Sequence, residues 1–190
     1  MHTTEETFAC LKSVIESANE RFVVGSIGAL QIIHDNFFDL YKRIVDKQRK
    51  GEGKGVRWIT SIHDRTNIDL VKIFLDAGVQ MRHIRNLPPM NFAVDKRYFY
   101  ATIEEMEKGR VMQSLLTSSE PSYVNHFTSV FEEMWKNAVD ARDAVRNIEE
   151  GVDPNVLESH IPYDEADMKD YLNEVFNEIS RIRDSHRLPS

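Results

Sequence analysis

The sequence lacks the features that mark secreted, membrane-spanning and repetitive chains. Its one cysteine, Cys10, cannot form an intramolecular disulfide, so nothing argues for an oxidising compartment. No apolar run approaches the roughly 18 residues that a membrane span needs. The first six residues include two acidic side chains and no lysine or arginine, whereas a secretory signal begins with basic residues and continues with apolar ones. Internal repeats and low-complexity tracts are missing too. These absences predict a cytoplasmic protein with no membrane partner.

The composition is that of a globular chain whose charge is unevenly spread. Of the 190 residues, 41% are hydrophobic and 29% are charged, which suits one domain with an appendage. The net charge is −7, and an acidic chain is a poor nonspecific ligand for nucleic acid, so nucleic acid is not the expected partner. One segment has the opposite sign, and a local anion or nucleic-acid contact there is the alternative to a solvated helix end. Its basic residues are Lys42, Arg43, Lys47, Arg49, Lys50, Lys54 and Arg57.

Strand and helix patterns alternate through the first half of the chain. Apolar runs at 21–28, 56–62 and 79–84 predict buried strands. Between them, residues 30–44 and 66–75 place apolar side chains one helical turn apart, which predicts two amphipathic helices, and a similar pattern precedes the first strand. Strands separated by helices pair in parallel through right-handed crossovers, so this order predicts an α/β layered sheet.

The pattern changes in the second half. Two short strands, 90–94 and 98–102, flank a polar turn at hairpin spacing. Pro121 opens a strongly apolar helix, and a polar helix with little apolar surface follows over 140–150. The hairpin supplies an antiparallel edge to the sheet. The predicted fold class is therefore α/β, with a mixed, mainly parallel sheet flanked by helices and a C-terminal amphipathic helix.

Domain boundaries follow from the change in composition at Gly151. Residues 1–151 form the predicted α/β domain, and residues 152–190 form an acidic linker and an amphipathic helix with nine acidic and four basic residues. That helix carries a short heptad seam, which must be buried on the body or on a second copy. One isologous interface can bury it, so we predict a homodimer. The seam residues are Met168, Leu172, Val175, Ile179 and Ile182.

A ligand site is expected where open α/β sheets bind ligands, at the carboxyl ends of the parallel strands. Glycines after the first strand allow close backbone approach, and the following helix start favours an anion. Strand alternation puts His83 and Arg85 on one face, where both could meet an anionic group. The ligand is thus predicted to be small and polar or anionic. The candidate binding residues are Gly25, Ser26, Ser61, His83, Arg85 and Asn91.

Patterns for cofactor, metal and hydrolytic sites are incomplete. Neither the dinucleotide fingerprint nor the phosphate-binding loop is present, and the glycine-rich turn at 51–55 follows a helix, so no cofactor is predicted. The histidines have no zinc-ligand spacing, so no metal site is predicted. No serine has a nucleophile-elbow sequence. A hydrolase built around His63, Asp64 and His83 is kept as an alternative.

Four segments carry a family resemblance. They are Arg82–Asn86, Met90–Asp95, Phe131–Trp135 and Ile148–Gly151. Together they resemble the phospholipase-D-like sensory domain of archaeal sensor histidine kinases, over roughly residues 8–151. The resemblance implies one half of a phospholipase-D-like fold, a sensory role in signal transduction and a downstream kinase module as partner, although this chain has no room for a kinase core.

The catalytic pattern of phospholipase D is His-x-Lys-x4-Asp. With Asp95 as its aspartate, the histidine and lysine positions fall on Pro88 and Met90. Proline cannot attack a phosphate and methionine cannot neutralise one, so we expect no enzymatic activity. The function predicted from sequence is a noncatalytic sensory or regulatory ligand-binding domain. A nucleic-acid-associated regulatory module of a transcription regulator is the other alternative.

Overall fold

A computed structural model describes residues 4–107 and 110–153. These residues fold into a series of helices and strands. They are α1 (Thr4–Ser17), β1 (Glu20–Val24), α2 (Ile27–Arg49), β2 (Gly55–Thr60), a 3-10 turn (Arg65–Asn67), α3 (Ile68–Asp76), β3 (Gln80–His83), β4 (Asn91–Val94), β5 (Phe99–Glu107), β6 (Arg110–Ser118), α4 (Pro121–Asn137), β7 (Val139–Asp140) and α5 (Ala141–Glu149).

The strands form one seven-stranded sheet in the order β6-β5-β4-β1-β2-β3-β7. The central strands β1, β2 and β3 are parallel, and every other neighbouring pair is antiparallel. The predicted α/β class with a mixed sheet is confirmed. The antiparallel part is larger than the sequence suggested, because β6 and β7 were not predicted.

The two faces of the sheet are covered by different helices. Val23, Trp58 and Met81 point to one face, where they share a hydrophobic cluster with residues of α1, α2, α3 and α5. Phe22 alternates to the opposite face and stacks on Phe131 of α4, with ring centroids 5.0 Å apart. The predicted packing of this apolar helix on the sheet is confirmed.

The helix after β1 begins earlier than the sequence suggested. The apolar run was predicted to continue as a strand through Gly28, but β1 ends at Val24 and Ser26 caps α2. The Ser26 hydroxyl accepts a hydrogen bond from the Ala29 backbone N–H at 3.2 Å, so the chain turns into helix at once. The predicted apolar face of α2 is confirmed, since Leu30, Ile33, Phe37, Leu40, Tyr41 and Ile44 are all buried.

The region after α4 also differs from expectation. The helix predicted over 140–150 is present as α5, but β7 separates it from α4, and it buries Ala141, Ala144, Val145 and Ile148. These four residues form the apolar face of α5, and the two alanines allow the helix to pack closely beside β3. The predicted linker beyond Asp153 and the heptad seam lie outside the described residues, so the homodimer stays a prediction. No helix in the described ranges is long and apolar enough to cross a membrane.

Candidate functional site

Three polar segments meet at the carboxyl edge of the central strands. Val24 of β1 pairs with Ile59 of β2 and with Phe92 of β4, so the residues just beyond these pairs lie side by side. The Asn91 side chain joins two of the segments, because its Oδ1 accepts a hydrogen bond from the Ser26 backbone N–H at 2.9 Å. The structure thus brings Gly25, Ser26 and Asn91 together as predicted from sequence.

Gly25 is held against the central tryptophan. Its N–H donates to the carbonyl of Ile59 at 3.0 Å, and its carbonyl accepts from Trp58 Nε1 at 3.1 Å. A Cβ at this position would lie 2.9 Å from Trp58 Cζ2. Glycine is required here by this close approach, which fixes where β1 ends and α2 begins.

We expect Gly25→Ala to destabilise the fold by about 1–2 kcal/mol, because the fully buried Trp58 ring must shift. Gly28→Ala is the matched control, since its Cβ would meet only Ser26 Oγ at 3.6 Å. That change should stabilise α2 by about 0.5–1 kcal/mol through helix propensity. Urea unfolding of both variants measures the difference, and equal midpoints would contradict the role given to the Trp58 contact.

The amino end of α2 faces this edge. Its first turn contains no acidic residue, and α2 is 23 residues long. The backbone N–H groups of Ile27 and Gly28 belong to that turn and have no acceptor within the helix. They carry the positive end of the helix dipole, which attracts anions.

Ser61 follows β2 directly, and its side chain connects the loop after β2 to the loop after β3. Its hydroxyl donates to the Arg85 carbonyl at 2.7 Å and lies 2.7 Å from His63 Nε2. A serine has one hydroxyl hydrogen, so both contacts are satisfied when His63 Nε2 carries a hydrogen and donates it to Ser61. In this arrangement His63 is no base for Ser61.

The predicted pairing of His83 with Arg85 on one strand face is wrong. Strand β3 ends at His83, so alternation does not reach Arg85, which is exposed. His83 has 0% exposure, and its Nδ1 accepts a hydrogen bond from the Ile62 backbone N–H at 3.0 Å. It supports the loop after β2 from within the core, and it does not open toward a ligand at the edge.

Asp64 is a capping residue. Its carboxylate accepts hydrogen bonds from the hydroxyl and the backbone N–H of Thr66, the latter at 2.8 Å, at the start of the 3-10 turn. These bonds hold the pKa of the Asp64 carboxyl below its usual value. The helix that follows this turn, α3, has Asn67 as its N-cap, one of the two residues predicted for that position. His63 contacts the Ser61 hydroxyl, Asp64 caps the 3-10 turn and His83 accepts a backbone hydrogen bond, so these hydrogen bonds do not connect the three residues as a catalytic triad.

The phospholipase-D-like positions are separated by a strand. Pro88 and Met90 precede β4, whereas Asp95 follows its last residue at the other end. Asp95 is buried, and its Oδ1 accepts from the backbone N–H groups of Arg97 and Tyr98 at 2.8 and 2.9 Å. This carboxylate shapes the β4–β5 turn. In the described part of the chain, no group of three His, Cys, Asp or Glu residues could hold a metal ion.

Much of the basic segment is paired within the chain. Lys42 and Arg49 form ion pairs with Asp39 and Asp46, and Lys47 donates to the Ala18 carbonyl. Arg57 lies 3.4 Å from Glu132, and Lys54 stands 5.7 Å from the Phe22 ring centre. Within this segment, the exposed cations for which the described residues provide no ion pair are Arg43, Lys50 and Lys54.

Sequence reasoning missed a buried polar cluster near the amino end of β1, at the opposite end of this strand from Gly25. We call Arg21, Tyr41, Asp95 and Tyr100 the Arg21 cluster; all four are buried. The signal was visible as an arginine inside an apolar strand run, since a charged side chain is almost never fully buried without partners.

The fold is thus a mixed α/β domain in which the amino end of α2 lies beside the ends of the central strands. No known family profile matches the chain, and no curated protein matches it. A solved structure of TrmBL2, an archaeal chromatin protein described as showing a novel mode of DNA binding, is similar with a TM-score of 0.51 and 11% identity. The likeness covers 70% of this chain and 50% of that chain, so this chain matches half of the length of TrmBL2. At this identity the likeness shows the fold alone.

Proposed function

We propose that the chain is a noncatalytic regulatory domain that binds a small anionic ligand at the amino end of α2. The supporting observation is the position of the first turn of α2, which begins beside Gly25, Ser26 and Asn91. This long helix has no acidic residue in that turn to compensate its dipole. A sensory role in signal transduction fits such a site, because ligand binding there can shift the stability of the whole sheet.

The absence of catalysis is part of the proposal. Nucleophilic catalysis needs a hydroxyl or thiol next to a free base. At this edge the Ser61 hydroxyl donates to a carbonyl, and His83 Nδ1 accepts a backbone hydrogen bond. Because both groups already take part in hydrogen bonds within the chain, the arrangement favours ligand binding over bond cleavage.

Anion binding is tested by thermal unfolding in a titration with inorganic phosphate at constant ionic strength. We expect the Tm of the wild type to rise with phosphate, because the anion interacts with the α2 dipole. Gly28→Glu should abolish most of this rise, since its carboxylate occupies and repels the same position. An acidic residue in the first turn also favours the helix, so the variant should fold.

Gln31→Glu is the matched control. Gln31 is exposed one turn further along α2, and the change adds the same charge. Its phosphate response should stay close to that of the wild type. A wild type without any response to phosphate, sulfate or citrate would contradict the proposal, as would equal responses in both variants.

A second candidate is a nucleic-acid-associated regulatory module, and the fold likeness to a DNA-binding chromatin protein favours it. Arg43 and Lys50, on α2 and at its carboxyl end, are two of the three exposed cations of the basic segment for which the described residues provide no ion pair. We expect a mobility shift with duplex DNA at low salt, and about a tenfold or greater loss of affinity in Arg43→Glu/Lys50→Glu. Lys12→Glu/Lys136→Glu makes the same change in net charge on other helices and should lose less. Equal losses would indicate nonspecific attraction.

A further inference from the structure

The Arg21 cluster lies far from the α2 amino end, near the amino end of β1. Arg21 is in β1, Asp95 follows β4, and Tyr100 is in β5, on three neighbouring strands. Val23 pairs with Ala93, and Ala93 pairs with Tyr100, so by alternation these polar side chains share the face covered by α2. Their exposed fractions are 3%, 4% and 3%.

Each of these three side chains has a polar atom that the described residues leave without a hydrogen bond. Arg21 Nε donates to the Tyr41 hydroxyl at 2.9 Å, but its Nη1 has no partner. Asp95 uses Oδ1 in the β4–β5 turn, whereas Oδ2 has no partner. The Tyr100 hydroxyl has none either, and the Arg21 guanidinium carbon lies 5.1 Å from the Tyr100 ring centre.

Such atoms are rarely left unpaired in a native interior, because each one forfeits its hydrogen bonds to water. The three atoms also differ in kind. Arg21 Nη1 can only donate, the ionised Asp95 Oδ2 can only accept, and the Tyr100 hydroxyl can do both. An anion would suit Arg21 and be repelled by Asp95, and a cation would meet the reverse conflict. A neutral hydroxyl group both donates and accepts, so its chemistry suits all three.

We propose that Arg21, Asp95 and Tyr100 form an internal binding site for a neutral hydroxyl group, supplied by water or by a small polyol. Burial and the nearby Asp95 carboxylate raise the pKa of the Tyr100 hydroxyl, which keeps it protonated and able to donate. Buried water commonly makes about three hydrogen bonds to polar groups of this kind. The site is independent of the phosphate site proposed at α2.

The test is nuclear Overhauser transfer from solvent to the Arg21 Nε–H in the isotopically labelled full chain. We expect a cross-peak from a slowly exchanging water in plain buffer. Added ethylene glycol distinguishes the sources: a persistent water peak assigns the site to water, and its replacement by a glycol peak assigns it to a polyol. Both results support a hydroxyl-binding site.

Tyr100→Phe removes one of the three partners and should weaken the cross-peak at least twofold. Tyr98→Phe is the control, because the Tyr98 side chain is only half-buried, and it should leave the peak unchanged. The absence of both water and glycol peaks at a visible Arg21 resonance would overturn the proposal. If that resonance is broadened, a crystal structure of the full chain decides, since no density between Arg21 Nη1 and Asp95 Oδ2 would overturn it too.

Discussion

Replacing Gly53 by alanine should lower the free energy of unfolding by about 3 kcal/mol, the largest effect expected from an added methyl group at any glycine that the structure describes. Gly53 has a φ of +82°, and a Cβ there would lie 2.3 Å from the backbone oxygen of Asn19. The backbone cannot easily move away, because Lys47 Nζ anchors it by donating to the Ala18 carbonyl and to Asn19 Oδ1 at 2.9 and 3.0 Å.

Gly51→Ala separates the clash from the backbone conformation. Gly51 also has a φ of +82°, but its Cβ would have no neighbour within 4 Å. It should cost only the left-handed conformation, about 1 kcal/mol. Urea unfolding of the two variants measures both values. Similar losses of stability in the two variants would show that the turn at 51–55 moves to relieve the clash. The turn would then be flexible, as its glycine content suggests.

Tyr41→Phe should destabilise the fold by about 2–3 kcal/mol, because it removes the acceptor of a buried charged donor. Arg21 Nε donates to the Tyr41 hydroxyl, and both side chains are at most 3% exposed. The ring itself keeps its packing against Trp58 and Phe74, so the loss reports the hydroxyl.

Tyr98→Phe serves as the control for this prediction. It also removes a tyrosine hydroxyl, but from a ring that is only half-buried. The hydrogen bond from Tyr98 to Asp95 is donated by the backbone N–H and is kept in the variant. The expected change is within about 0.5 kcal/mol. Denaturant unfolding at neutral pH compares the two. A Tyr41→Phe midpoint that matches the control would mean that Arg21 does not depend on the Tyr41 hydroxyl.

The helices of this fold were largely predictable, because their periodicity reflects burial directly. Leu30, Ile33 and Phe37 recur at helical spacing and are all buried in α2. In α4, Phe127, Phe131 and Met134 behave in the same way. A 3.6-residue period leaves little choice of which face meets the sheet, so the sequence pattern and the packing agree.

Two strands could not be predicted, and each for its own reason. In β6 the order Val111-Met112-Gln113-Ser114-Leu115-Leu116 alternates in pairs, which matches neither a strand nor a helix period. In β7 only Val139 and Asp140 are involved, and their strand character comes from pairing with β3. A segment this short has no pattern of its own.

The candidate site was predictable as a place and not as a set of contacts. Topology brings Ser26, Ser61 and Asn91 to one edge, and the alternation of strands and helices indicates that topology. His83 is turned inward because its Nδ1 accepts a hydrogen bond from the Ile62 N–H, a contact between β3 and the loop after β2 that no sequence spacing encodes. The Arg21 cluster depends likewise on strands that meet only after folding.

The central position of β1 also shapes how the chain must fold. Strands β4, β5 and β6 form a meander of strands that are close in sequence. In contrast, Val24 in β1 pairs with Phe92, which lies 68 positions later in the chain. Closing such a long loop is entropically unfavourable until the contacts form, and nonlocal pairing of this kind slows folding. We therefore expect the pairing of β1 with β4, which joins the parallel strands to the meander, to form late in folding.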